Sequence, residues 1–219
     1  MDIPFTITDY VRPACLPQNF EYKPENGAAC VASGFGQQGT CDDNEILYAT
    51  RLKSVVLEIV DNEICAEIHE EHSGEKVVNS QLCAAGFQNG MDTCKGDSGG
   101  PLVCDVDGRW TLTGVVSFGL FFGEKDIPGV YTRVTEYLDW IWKNSDLEAH
   151  RKTPVSLYCQ KHVNNNEKTI FYRSLRMSGM SFGTIVLVKI PFTTLDVSMA
   201  GLDVITVSRI AEFATLMSR

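Results

Sequence analysis

The 219 residues are 44% apolar and 21% charged, with a net charge of −9 at neutral pH. That apolar share excludes a disordered chain, 18 glycines are far too few for collagen, and no run of about 18 uncharged apolar residues is present, so no membrane span is expected. The excess of acids argues against nucleic acid as a partner, because neutralising phosphates takes clustered Lys and Arg.

Charge and cysteine divide the chain. Residues 1–146 carry 23 acidic and 10 basic side chains, whereas 147–219 carry 5 and 9. Cys15, Cys30, Cys41, Cys65, Cys83, Cys94 and Cys104 lie in the first part and only Cys159 in the second. Two regions are expected, 1–146 and 147–219.

In chain order, short apolar and β-branched runs separated by Gly, Asn and Asp predict strands over 29–34, 53–60, 81–86, 101–105, 110–118 and 129–133. Residues 61–68 fit a short helix. His69-Glu70-Glu71-His72 follows it; its second histidine comes one position too early for a His-Glu-x-x-His zinc helix, and it reads as a polar surface loop. Asp105-Val106-Asp107-Gly108 reads as a hairpin turn, since Asp-Gly readily takes positive φ. Val134, Leu138 and Ile141 fall at i, i+4 and i+7 and predict a helix over 134–144. Six strands and a closing helix predict an all-β barrel. In the tail, 184–190 fits a strand, and Ile210, Phe213, Ala214 and Met217 make a weak helical stripe. The rest of 147–219 reads as a solvated or disordered extension.

Eight widely spaced cysteines suggest a disulfide framework and an oxidising compartment. No Cys-x-x-Cys is present to hold zinc, and neither metal nor cofactor is expected. The chain opens Met1-Asp2-Ile3-Pro4 without a basic segment followed by an apolar one, so no signal peptide is expected in it.

The segment that carries chemistry is Asp92-Thr93-Cys94-Lys95-Gly96-Asp97-Ser98-Gly99-Gly100-Pro101. Its last six residues would arise together at a given position with a chance of about one in ten million from ordinary usage. A serine hydroxyl is a weak nucleophile until a base removes its proton, and the oxyanion that then develops needs fixed N–H donors. Gly96 frees the backbone to aim such donors, while Gly99 and Gly100 permit close approach. Ser98 is therefore the candidate nucleophile.

Elsewhere in the chain stand Tyr10-Val11-Arg12-Pro13-Ala14-Cys15-Leu16-Pro17, Cys30-Val31-Ala32-Ser33-Gly34-Phe35-Gly36, Val115-Val116-Ser117-Phe118-Gly119 and Pro128-Gly129-Val130-Tyr131-Thr132-Arg133-Val134. With the serine segment, these resemble the trypsin/chymotrypsin family of serine proteases (peptidase family S1) over about residues 4–144. The resemblance implies the second, six-stranded antiparallel Greek-key barrel of a double-barrel fold, with a C-terminal helix and an unmatched tail. It implies Ser98 as nucleophile and the N–H groups of Gly96 and Ser98 as oxyanion hole. Asp97 would pair with the amino terminus freed on activation. Asp92 would form the floor of a pocket for Arg or Lys, because a desolvated cation needs a paired anion, with Gly119 and Gly129 as its walls and Ser117 on the strand that meets the substrate backbone. Disulfides Cys30–Cys104 and Cys65–Cys83 are implied too, with Cys41 an available partner for Cys94 and Cys15 linked to a separate chain. The implied partner is a protein or peptide substrate carrying Arg or Lys, met outside the cell.

The family's triad also needs a histidine base and an aspartate. The histidines here are His69, His72, His150 and His162, none in the family's Ala-Ala-His-Cys setting, and Asp2 lies too close to Cys15 to be the triad aspartate. The expectation is a trypsin-like endopeptidase represented by its serine-bearing half, first barrel missing, and inactive as the isolated chain. The alternative is a non-catalytic binding module or truncated gene product.

Overall fold

The computed structural model describes residues 11–12, 14–39, 47–86, 91–120, 127–144 and 187–188. Its elements are β1 (Val11–Arg12), β2 (Ala29–Gly34), β3 (Lys53–Val60), α1 (Asn62–Ser73), β4 (Gln81–Ala85), β5 (Pro101–Val106), β6 (Arg109–Phe118), β7 (Gly129–Arg133), a 3₁₀ turn at Val134–Tyr137, α2 (Leu138–Lys143) and β8 (Leu187–Val188). Strands β2, β3, β4, β7, β6 and β5 close, in that order, into an antiparallel barrel. The chain folds as the all-β, six-stranded barrel with a short C-terminal helix that the strand pattern predicts.

Alternation along the strands explains why the barrel closes. Cys30, Ala32, Leu57, Ile59, Leu82, Ala84, Leu102, Cys104, Val116 and Tyr131 form one buried cluster, with successive members on a strand two residues apart, so every strand sends one face inward. The opposite faces are covered by helices. Val31, Val103 and Leu112 pack against Val134, Leu138 and Ile141 of the C-terminal helical segment, and Val60, Cys83, Ala85 and Val130 of the strands pack with Cys65 of α1. Strand β4 is consequently buried along its whole length.

Two disulfides fix this arrangement. Cys30 and Cys104 face each other across β2 and β5 and are bonded; Cys65 of α1 is bonded to Cys83 of β4. Cys94 is also disulfide-bonded; Cys41, its suggested partner, lies outside the described residues. Cys15 is a correction: the resemblance implied a link to a separate chain, but its disulfide is made within this one.

The turn at Asp107-Gly108 joins β5 to β6 with φ of +53° and +74°, the left-handed pair that a two-residue hairpin requires. The polar loop expected at 69–72 is instead the last part of α1, which runs to Ser73 and ends where Gly74 takes φ +72°. Asp61 caps its start by accepting from the N–H of Glu63 and Ile64. His69 is fully buried on the inner side of α1, while His72 is exposed in its last turn. The closing helix begins with a 3₁₀ turn before its α-helical residues. Within the stretch read as a tail strand, Leu187–Val188 pairs antiparallel with Val11–Arg12; the weak helical stripe at 210–217 lies outside the described residues.

Candidate active site

The serine loop leaves Cys94 and enters β5 at Pro101, and its bends are fixed by backbone bonds. The Asp97 N–H donates to the Cys94 carbonyl at 3.0 Å, and the Gly100 N–H to the Asp97 carbonyl at 2.8 Å. The loop is also tied to β6: the Gly99 N–H donates to the Val116 carbonyl at 2.8 Å, and the Val116 N–H returns to the Gly100 carbonyl at 2.9 Å. Gly96 sits at φ +95°, a conformation that suits glycine, and a Cβ there would stand 2.8 Å from the Tyr48 ring. Among the described residues, no acceptor meets the N–H groups of Gly96 and Ser98, in contrast to their neighbours Asp97, Gly99 and Gly100.

Asp97 turns inward from this loop. Its Oδ1 accepts from the Gly36 N–H at 2.8 Å and its Oδ2 from the Cys94 N–H at 3.0 Å. Burial raises its pKa above the ordinary carboxylate value, against the opposing pull of those two N–H groups. Gly34 and Gly36 are required here, because a Cβ on either would collide with the Asp97 carboxylate. A cavity of about 290 Å³ opens at this carboxylate, lined in part by Gly36, Gln37, Lys53, Met91 and Asp97.

A second cavity, of about 90 Å³, lies on the side of Ser98. Asp92, Ser98, Ser117, Gly119 and Gly129 all line it, so five residues spread over 38 positions of sequence share one concavity. Gly96 and Asp97 stand in the loop beside it. Asp92 Oδ1 accepts from the Thr93 N–H at 2.7 Å, from the Thr93 hydroxyl at 3.4 Å and from the Tyr131 hydroxyl at 3.5 Å. Desolvation outweighs those bonds and lifts the Asp92 pKa from 3.8 to about 6. Gly129 stands close to both: a Cβ there would meet the Tyr131 ring at 3.4 Å and Asp92 Oδ1 at 3.6 Å, ordinary van der Waals contact. Ser117 falls where the β6–β7 register shifts between Val116 and Phe118, an irregularity that takes it out of the regular ladder.

Three participants were not singled out by sequence. Tyr131 is fully buried in the barrel core, yet its hydroxyl also lies 3.1 Å from Thr93 Oγ1. Thr93 adjoins Asp92 in sequence, and that adjacency was the available signal; for Tyr131 there was none, because the contact spans 39 residues. The third is His69, whose Nε2–H donates to the Pro128 carbonyl at 2.9 Å and whose ring meets Phe118 edge-on at 5.9 Å. It is committed to the wall of the pocket. His72 Nδ1 lies 2.8 Å from the Ile68 carbonyl. Neither described histidine is hydrogen-bonded to Ser98, and His150 and His162 lie outside the described residues.

Comparison with known proteins places this geometry in a family. The Trypsin family model matches residues 1–141. The chain is 40% identical to urokinase-type plasminogen activator of Gallus gallus over 137 residues, which cover 63% of this chain and 30% of that protein. Its fold matches neuropsin, a serine protease expressed in the limbic system of mouse brain, with a TM-score of 0.50 and 34% identity over 60% of this chain and 53% of that one. The chain thus spans about a third to a half of the length of these relatives. A barrel of this topology, a serine loop seated on β6 and a match over residues 1–141 lead to one conclusion: the chain belongs to the trypsin family of serine proteases.

Proposed function

We propose that the chain is the serine-bearing half of an extracellular trypsin-like endopeptidase that cuts polypeptides after Arg or Lys, with 1–146 as the peptidase unit and 147–219 as a separate extension. The observation that carries this reading is the convergence of Asp92, Ser98, Ser117, Gly119 and Gly129 on one cavity. A long cationic side chain enters between the small walls Gly119 and Gly129 and meets the carboxylate of Asp92. Its scissile carbonyl then lies beside Ser98, and its backbone runs along Ser117.

In the chemical step Ser98 Oγ attacks that carbonyl, and its proton passes to a base. The negative charge that develops on the carbonyl oxygen is taken by the N–H groups of Gly96 and Ser98, whose lack of acceptors among the described residues supports the assignment. Asp97 holds the loop that carries both donors. The cavity at its carboxylate is the receptor for a free α-amino group, which would replace two neutral N–H contacts with an ion pair.

With no described histidine bound to Ser98, the 219-residue chain by itself binds cationic ligands and turns them over poorly. A binding module that has lost turnover is the second reading, and this same observation favours it. Calorimetry with benzamidine, an arginine-like amidinium, tests the pocket. Binding at pH 8 that Asp92→Asn abolishes and Ser98→Ala preserves is expected; no binding, or binding indifferent to Asp92, overturns the reading.

A further inference from the structure

The cavity beside Ser98 is lined by one acid and one base. The acid is Asp92; the base is Lys95, exposed at the start of the bend that carries Gly96. Lys95 is held on a fixed loop, because its carbonyl accepts the Gln37 N–H at 2.9 Å and the turn after it is closed by the Asp97–Cys94 bond at 3.0 Å. No carboxylate among the described residues lies within ion-pairing distance of its ammonium. It stands three residues from Asp92 on one side and three from Ser98 on the other.

We infer that this site prefers a polypeptide in which the basic residue has an Asp or Glu directly beside it, the base facing Asp92 and the neighbouring acid facing Lys95. This rests on the reading of the cavity as a cation pocket. A substrate with two adjacent bases sets its second charge against the Lys95 ammonium and is disfavoured. The residues 1–146 carry a net −13, which by itself would repel acidic peptides. That field is screened beyond about 10 Å at ordinary ionic strength, whereas a contact pair at the rim of the cavity is not. Lys95 therefore reverses, at one position, the preference that the net charge would set.

The test is calorimetry on the full chain carrying Ser98→Ala, so that no ligand is consumed. Hexapeptides differ only in the residue before or after a single Arg: Asp, Asn or Lys. At about 0.1 M salt, where the net field is screened, the Asp peptide is expected to bind about three-fold tighter than the Asn peptide in at least one placement, and the Lys peptide weaker, the scale of an exposed ion pair. Lys95→Gln removes the difference and Lys95→Glu inverts it. Equal affinities in both placements, or a preference that survives Lys95→Gln, overturn the inference while leaving the pocket intact. If no peptide binds, or if Asp92→Asn leaves Arg binding unchanged, the pocket reading falls and this inference with it.

Discussion

His69 Nε2 lies 2.9 Å from the carbonyl oxygen of Pro128, and the same ring stands edge-on to Phe118. Both neighbours belong to segments that line the cavity, since Pro128 precedes Gly129 and Phe118 lines it between Ser117 and Gly119. One imidazole thus braces both segments, and its Nδ1 is buried without a partner. His69→Ala would open a void and strand the Pro128 carbonyl. A loss of about 2–4 kcal/mol is expected in urea unfolding, together with weaker benzamidine binding. Unchanged values in both measurements would assign His69 no bracing role.

Asp92 gives a pH signature with a definite sign. Its pKa rises from 3.8 to about 6 on folding, chiefly by desolvation. Between those values the folded state holds a proton that the unfolded state has released, so stability falls as pH rises through the window and stays lower above it. Asp97 is raised for the same reason and adds to the trend. Asp92→Asn relieves the buried charge while keeping an acceptor for the Thr93 N–H. It is expected to raise Tm by about 3 °C at pH 8, corresponding to about 1 kcal/mol for a partly solvated carboxylate, and to leave Tm at pH 4 almost unchanged. Benzamidine affinity moves the opposite way, declining as pH drops through about 6.

The two described disulfides contribute unequally. Cys30–Cys104 joins residues 74 apart and Cys65–Cys83 residues 18 apart. Loop entropy assigns about 4 kcal/mol to the first and about 3 kcal/mol to the second. Replacing each pair with Ala and comparing denaturant midpoints checks the order; a larger loss from Cys65–Cys83 would mean that native packing of α1, and not unfolded-state entropy, governs.

How far sequence reached depended on the range of the interaction. Short apolar and β-branched runs bounded by Gly, Asn and Asp located β2, β3 and β7 to the residue, because such runs and their flanking turns are a local signal. The end of α1 was set five residues too early. Glu70, Glu71 and His72 read as a loop, although Gly74 is the stop signal and the spacing of Cys65 and His69 already marks one buried face. The serine segment stood out through composition alone. What brings Tyr131 to Asp92, Gly36 to Asp97 and His69 to Pro128 is closure of the barrel, and contacts spanning 39 to 61 residues leave no periodic trace.

Ser98 has no imidazole partner among the described residues, His69 being spent on Pro128 and His72 bonded to the backbone of its own helix. Loss of the base from a serine triad costs about 10⁶ in kcat. Full chain mixed with an arginine p-nitroanilide should therefore release chromophore barely above buffer, even at concentrations that saturate the pocket. Strong cleavage would demand a base from elsewhere in the chain, and His150→Ala and His162→Ala would then identify it. If cleavage is absent while benzamidine still binds, the cation pocket is assembled and the missing component is the proton acceptor, which separates a pocket awaiting its base from one that has never formed.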